Sequence, residues 1–277
     1  MNHYNLDDLI YLMQRLREPV HGCPWDLKQT YQTIVPSTLE EAYEVAAAIE
    51  SEDYQHLPEE LGDLLFQVIF YAQLGAEEKC EQRRFDFSHI VSGLVEKLVR
   101  RHPHVFPNGD LRSNITASDK RTERDEWAIK QRWESLKREE RLARGDLSIL
   151  ADIPLNLPAL TRAQKLQKRA AHNGFDWPDI EQPLAKIEEE LAEVRDALAS
   201  GNQQAIAEEL GDLLFSVVNV CRHAKVDAES SLRLCSRKFE RRFTYIEQQL
   251  KAEQLTLAQA SLEQMEALWC EAKLQGL

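Results

Sequence analysis

Glu190 and Glu193 stand three residues apart, and so do Glu209 and Asp212. Residues three or four apart share one face of an α-helix, so each pair projects two carboxylates together. Glu209 lies sixteen positions after Glu193. That is room for the chain to turn back and set the two pairs against each other on antiparallel helices. Carboxylates gathered in this way are costly to bury unless a cation neutralises them. An all-oxygen set without His or Cys suits a hard divalent ion and points to Mg²⁺. Mg²⁺ keeps positions for water and substrate phosphates, so an acidic protein can take up a still more acidic ligand through it. A single EExxE is ordinarily a solvated helix face; this one has a setting and a duplicate that a solvated face does not need.

The setting is the helix that carries Glu209. It is otherwise apolar through Leu210, Leu213, Leu214, Phe215, Val217, Val218 and Val220. Its polar exceptions, Glu209, Asp212, Ser216 and Asn219, fall at i, i+3, i+7 and i+10 and form one stripe. The duplicate lies upstream. The string EELGDLLF runs from Glu59 to Phe66 and again from Glu208 to Phe215, a shift of 149. At that shift Glu40, Glu41 and Glu44 fall on Glu189, Glu190 and Glu193, and the interval from Glu44 to Glu60 is again 16. Glu60 and Asp63 match Glu209 and Asp212. Within the octamer, Gly62 and Gly211 suggest close helix approach and the Leu-Leu-Phe that follows suggests core. A period near 150 is too long for a solenoid unit and indicates a duplicated domain.

The elements that must hold these residues are helical. Leu6, Leu9, Ile10, Met13 and Leu16 recur at helical spacing. Ser37 followed by Glu40 resembles a capping box opening the next helix, and Pro58 suits the first turn of the helix bearing the first octamer. In the second half, Ile187–Ala199, Ala205–His223 and Ala228–Leu250 repeat the plan. The expected fold is all-α, two tandem helical-bundle domains at 1–107 and 158–277. Between them, 108–157 reads as a polar loop, a charged helix from about Glu123 to Arg144 and a proline-bearing linker.

Composition narrows the partners. The 277 residues carry a net charge of −13, which disfavours sequence-independent binding to nucleic acid or to an anionic membrane. The five cysteines are scattered with no CxxC pair and read as reduced thiols of a cytoplasmic protein. No secretory signal is evident at the start, and the most apolar run, Leu64 to Leu74, is short of the ~20 residues a membrane span needs. There is no GxxxxGK[ST] or GxSxG, and His21 with Cys23 lacks the partners of a zinc site.

EExxE followed by ExxD, together with GCPWD near the start, EELGDLLF twice and RRHPHVF between, resembles the all-α nucleoside triphosphate pyrophosphohydrolases of the MazG family. The resemblance covers essentially the whole chain. It implies a homodimer that hydrolyses ribo- and deoxynucleoside triphosphates to monophosphate and pyrophosphate with Mg²⁺. It makes Glu190, Glu193, Glu209 and Asp212 metal ligands, with Glu41, Glu44, Glu60 and Asp63 a second candidate set. Glu189 becomes an outer acid or the base that orients water, and Lys186 and Lys238 become phosphate contacts. Arg100, Arg101 and Lys137 are further cationic candidates, and Trp269 is a candidate for stacking on a base.

The halves are not equivalent. Ser37 occupies the position of Lys186 and is read as a cap, and Phe70 replaces Asn219 and cuts the polar stripe short. Catalysis is therefore expected mainly from the second half, with the first a structural or regulatory copy. Two other readings stay open: a pyrophosphohydrolase dedicated to one nucleotide, and a non-catalytic nucleotide-sensing or scaffold protein.

Overall fold

The computed structural model describes residues 3–112, 129, 132–133, 135–137, 139–140 and 148–277. Every regular element among them is helical. The chain forms two compact units, Met1–Leu136 and Lys137–Leu277. The first holds α1 (Leu6–Leu16), α2 (Tyr31–Glu50), α3 (Leu57–Glu77) and α4 (Phe87–Arg101). The second holds α5 (Ala159–His172), α6 (Glu181–Ser200), α7 (Gln203–His223), α8 (Ala228–Ala252) and α9 (Leu262–Leu274). Of the expected charged helix from Glu123 to Arg144, the described residues are helical and the rest lie outside the described residues. No helix among the described residues is long and apolar enough to cross a membrane.

Local chemistry sets the helix ends. The Asn5 side chain accepts from the backbone N–H groups of Asp7 and Asp8, and Asp8 returns the bond to Asn5, a capping box that opens α1. The same reciprocal bonding between Thr30 and Thr33 opens α2. This corrects the expected cap at Ser37, which lies inside α2 beyond Pro36. Thr30 wins because its extended backbone frees its hydroxyl for the first turn, seven residues upstream of Ser37. Pro58 sits in the first turn of α3 as expected. Gly201, at φ 71°, ends α6, and the Asn202 side chain caps α7 through Gln204 and Ala205. A left-handed glycine followed by an N-cap asparagine makes the tightest of reversals, so two long helices lie back to back.

In the first unit Met13, Ile34, Ile69, Phe70 and Leu74 form a buried core between α1, α2 and α3. The end of this core is closed by Arg17, itself only 8% exposed. Its guanidinium lies over the Phe70 ring at 5.3 Å and binds Glu77 at 2.6 Å, while also donating to the carbonyls of Asp26 and Gln29 ahead of α2. In the second unit Val194, Ala197, Val218, Tyr245, Ile246, Leu250 and Ala272 are buried.

Two expectations about the repeated octamer need correction. A Cβ added at Gly62 or Gly211 would meet nothing within 4 Å, so neither glycine serves a close approach within the chain. Gly75 does: a Cβ there would meet the Phe85 carbonyl oxygen at 2.6 Å. The Leu-Leu-Phe runs are also not wholly core, since Leu65, Leu214 and Phe215 are exposed. Both helix pairs bury one face against their own unit and leave the other uncovered.

Candidate metal centre and active site

The α6–α7 reversal brings Glu190 and Glu193 of α6 to Glu209 of α7. Each offers a carboxylate oxygen, and the three oxygens lie within 4.8 Å of one another. Glu190 is the buried member at 4% exposure, Glu209 is half-buried and Glu193 is exposed. Lys186, one turn earlier on α6, donates to Glu189 at 2.7 Å and contacts Oε1 of Glu190 at 2.7 Å. The ammonium between two carboxylates is held in its charged form, its pKa raised by hydrogen bonds to Glu189 and Glu190. Oε2 of Glu190 is buried and has no hydrogen-bond partner among the described residues.

That orphaned oxygen tests whether the site fits a cation. An ionised carboxylate with one buried oxygen unpaired carries a desolvation cost that a lysine on the other oxygen does not remove. Glu193 shows the same tension: desolvation, and then the charges of Glu190 and Glu209, raise its pKa. Three converging oxygens, one buried and unsatisfied, fit a hard divalent cation. Asp212, the fourth expected ligand, is exposed on α7 and does not join the mutually close set.

The first unit gathers a different triplet. Glu41 of α2 meets Glu60 and Asp63 of α3, again with oxygens within 4.8 Å, while Glu44 is exposed and outside the set. Desolvation first, and neighbouring acids next, raise the pKa values of Glu41 and Glu60. The buried Gln67 amide donates to Glu41 at 3.4 Å from the position that Ser216 takes in the second unit. No lysine answers Lys186 there, since Ser37 stands in its place.

The remaining candidates lie on other elements. Lys238 is exposed on α8, and Trp269 of α9 packs against Phe239 at 5.3 Å between ring centroids. No hydrogen bond, ion pair or ring contact among the described residues links either to the acidic set. Arg100 and Arg101 end α4 in the first unit, where Arg100 lines a groove of about 550 Å³ with Val95, Val99, Pro103 and Phe106. Lys137 belongs to the second unit.

Residue reading missed Arg242 and Arg222. Arg242 lies 5.3 Å over the Trp269 ring, four residues after Lys238 and so on the same face of α8. That i+4 spacing within RKFERRF was the available signal. Arg222 donates from Nε to Oδ1 of Asn219 at 2.9 Å, and its terminal nitrogens clasp Asp176 in the loop before α6. Asp176 is held in its ionised form, its pKa lowered chiefly by the hydrogen bond from Arg222.

Comparison with known proteins identifies the family of these helices. The family model of the MazG nucleotide pyrophosphohydrolase domain matches residues 29–106 and 179–246, the two stretches that contain the paired acidic helices. The chain is 46% identical over 276 residues to the nucleoside triphosphate pyrophosphohydrolase of Escherichia coli K12, covering 98% of each. It is 38% identical to the nucleoside triphosphate pyrophosphohydrolase/pyrophosphatase MazG of Thermotoga maritima, over 96% of this chain and 95% of that one. An uncharacterised Bacillus subtilis protein, YabN, is 41% identical across 95% of this chain and 50% of its own length.

Proposed function

Since the chain belongs to the MazG nucleotide pyrophosphohydrolase family, we propose that it hydrolyses ribo- and deoxynucleoside triphosphates to monophosphate and pyrophosphate, mainly in its second unit. The observation that carries this reading is the buried, unpartnered Oε2 of Glu190 inside a carboxylate triplet, with Lys186 alongside. Glu190, Glu193 and Glu209 would hold Mg²⁺, with Asp212 completing the set through its place one turn beyond Glu209. Bound there, the ion supplies charge stabilisation on phosphate oxygens and lowers the pKa of water.

The chain's own residues do the rest. Lys186, whose ammonium has three donors, can add a phosphate oxygen to its contacts with Glu189 and Glu190, and Lys238 and Arg242 present two further cations on one face of α8. Lys186 fixes Oε1 of Glu189, which leaves Oε2 to accept a proton from the attacking water. The water oxygen bonds to the α-phosphorus, the bond to the α–β bridging oxygen breaks, and pyrophosphate leaves. Trp269 is the candidate for stacking on the base, with Arg100, Arg101 and Lys137 as further anion contacts.

In this reading 158–277 is the working domain, 1–107 is a second cradle at Glu41, Glu44, Glu60 and Asp63 with a structural or regulatory role, and 108–157 connects them. The exposed apolar faces of both helix pairs support a homodimer. The free cysteines and the charge of −13 support a cytoplasmic protein without nucleic acid or membrane as partner.

The test is product analysis over a panel of nucleoside and deoxynucleoside triphosphates with Mg²⁺. Monophosphate and pyrophosphate from many substrates is the expected result. Turnover of one substrate alone would restrict the enzyme to that nucleotide, and no turnover would make it a sensor or scaffold. In the same assay Glu193→Gln abolishes turnover and Glu44→Gln leaves most of it; the opposite pattern would move catalysis to the first unit.

A further inference from the structure

Asn219 is buried at 8% exposure, and among the described residues only the oxygen end of its amide has a protein partner. Oδ1 accepts from Nε of Arg222 at 2.9 Å, and among the described residues no group pairs with Nδ2. The orientation of this amide is not arbitrary. Arg222 has only donors, so the oxygen must face it and the NH₂ must face the other way. Arg222 is in turn locked: it donates to Oδ2 of Asp176 at 2.9 Å and to Oδ1 as well, and His223 meets the same carboxylate at 3.1 Å. The Arg222 and His223 side chains are 15% and 11% exposed.

The stripe on α7 tells where this fixed donor lies. Glu209, Asp212, Ser216 and Asn219 share one face, and Asn219 is seven residues beyond Asp212, which is about 10 Å along a helix axis. Lys186, on the antiparallel α6, is displaced from Glu190 towards the same end of the pair. A triphosphate held by the acids and Lys186 would therefore extend its nucleoside part towards Asn219. Phosphate oxygens stay with the acids; what reaches this far is a sugar or a base, and the sugar of every nucleotide carries oxygens that accept a hydrogen bond.

The first unit is an internal comparison. There Phe70 stands in place of Asn219, and the guanidinium that closes the end of the helix pair, Arg17, stacks on its ring and grips the loop ahead of α2. Arginine closure of this end thus occurs in both units, but only the second unit uses it to orient a hydrogen-bond donor.

We propose that Asn219 is a substrate-contacting residue whose amide nitrogen donates to an oxygen of the nucleoside part, and that Arg222 and Asp176 are positioning residues that set its orientation. This rests on the reading of the second unit as a nucleoside triphosphate site. The experiment is a calorimetric titration of the full chain, in Mg²⁺, with an α,β-methylene nucleoside triphosphate and separately with inorganic tripolyphosphate, which has no nucleoside. For Asn219→Leu and Asn219→Asp, affinity for the nucleotide falls roughly three- to tenfold, the worth of one neutral hydrogen bond, while affinity for tripolyphosphate is unchanged. Asn219→Asp keeps a partner for Arg222 and so keeps the fold, which circular dichroism verifies. Arg222→Gln and Asp176→Asn show the same selective loss, smaller in size. Equal loss for both ligands, or none for either, overturns the proposal. A wild-type protein that binds neither ligand overturns the underlying functional reading instead.

Discussion

The chemistry of single carboxylates explains why a protein of this acidity can use a metal. Among the described residues nothing pairs with Oε2 of Glu190, and Glu193, Glu41 and Glu60 are each pushed towards their protonated forms by desolvation first and by neighbouring acids next. The sign matters for stability. A carboxyl whose folded-state pKa lies above its unfolded value binds its proton more tightly when folded, so it costs stability as pH rises beyond the unfolded value near 4.5. A divalent cation relieves that cost by replacing the proton. Mg²⁺ at a hundredfold excess over Kd is expected to stabilise the protein by about 2.7 kcal/mol at neutral pH. The gain shrinks as pH falls towards 4.5, because ligands must be deprotonated to bind metal. Thermal melts across pH with and without Mg²⁺ read this directly, and a pH-independent gain would exclude these acids as the binding site.

At the scale of elements, each unit depends on a guanidinium that ties the loop before its acidic helix pair to the far end of that pair. In the first unit this is Arg17, which bonds Glu77 and two loop carbonyls. Replacing it with Met keeps the apolar stem over Phe70 but removes every donor. A buried ion pair broken from one side costs ~3–5 kcal/mol, and the partial exposure of Glu77, at 35%, reduces this to about 2 kcal/mol. Urea unfolding of Arg17→Met measures it. Burial alone would raise the pKa of Glu77, but the bonds from Arg17 and Gln73 outweigh it and hold it low. This group therefore stabilises the fold above its unfolded pKa, and the contribution disappears on acidification through its folded pKa. The variant should lose most of that acid-side dependence.

At the scale of the whole molecule, the uncovered faces of the helix pairs remain to be accounted for. Leu184, Leu191 and Leu198 recur every seven residues on α6 and are 39–57% exposed, and Leu210, Leu214 and Val217 line α7 beside them at 41–58%. The proposed dimer would cover these contiguous exposed leucines. Sedimentation of the wild type is expected to show a dimer, and Leu214→Glu a shift to monomer, since a charge at the centre of such a face is costly to bury. A wild-type monomer would show that these faces serve another purpose.

What the sequence alone determined is what depends on spacing along one chain. Helical periodicity, the short turn-back between the acidic helices, the duplication and the acids that share a helix face were all legible, because each is a local or repeated pattern. So was the inequality of the halves, through Ser37 for Lys186 and Phe70 for Asn219. Only the tertiary structure decided which acids converge. Two parallel stripes on neighbouring helices leave their relative axial and rotational settings free, and these select Glu190, Glu193 and Glu209 in one unit but Glu41, Glu60 and Asp63 in the other. It also decided which apolar residues are core, since a helix pair exposes whichever face its own unit does not cover. The pairing of Arg222 with Asp176, forty-six residues away, has no local signature at all. It arises because a loop and a helix end meet in space, and through it Asn219 holds its amide in one orientation.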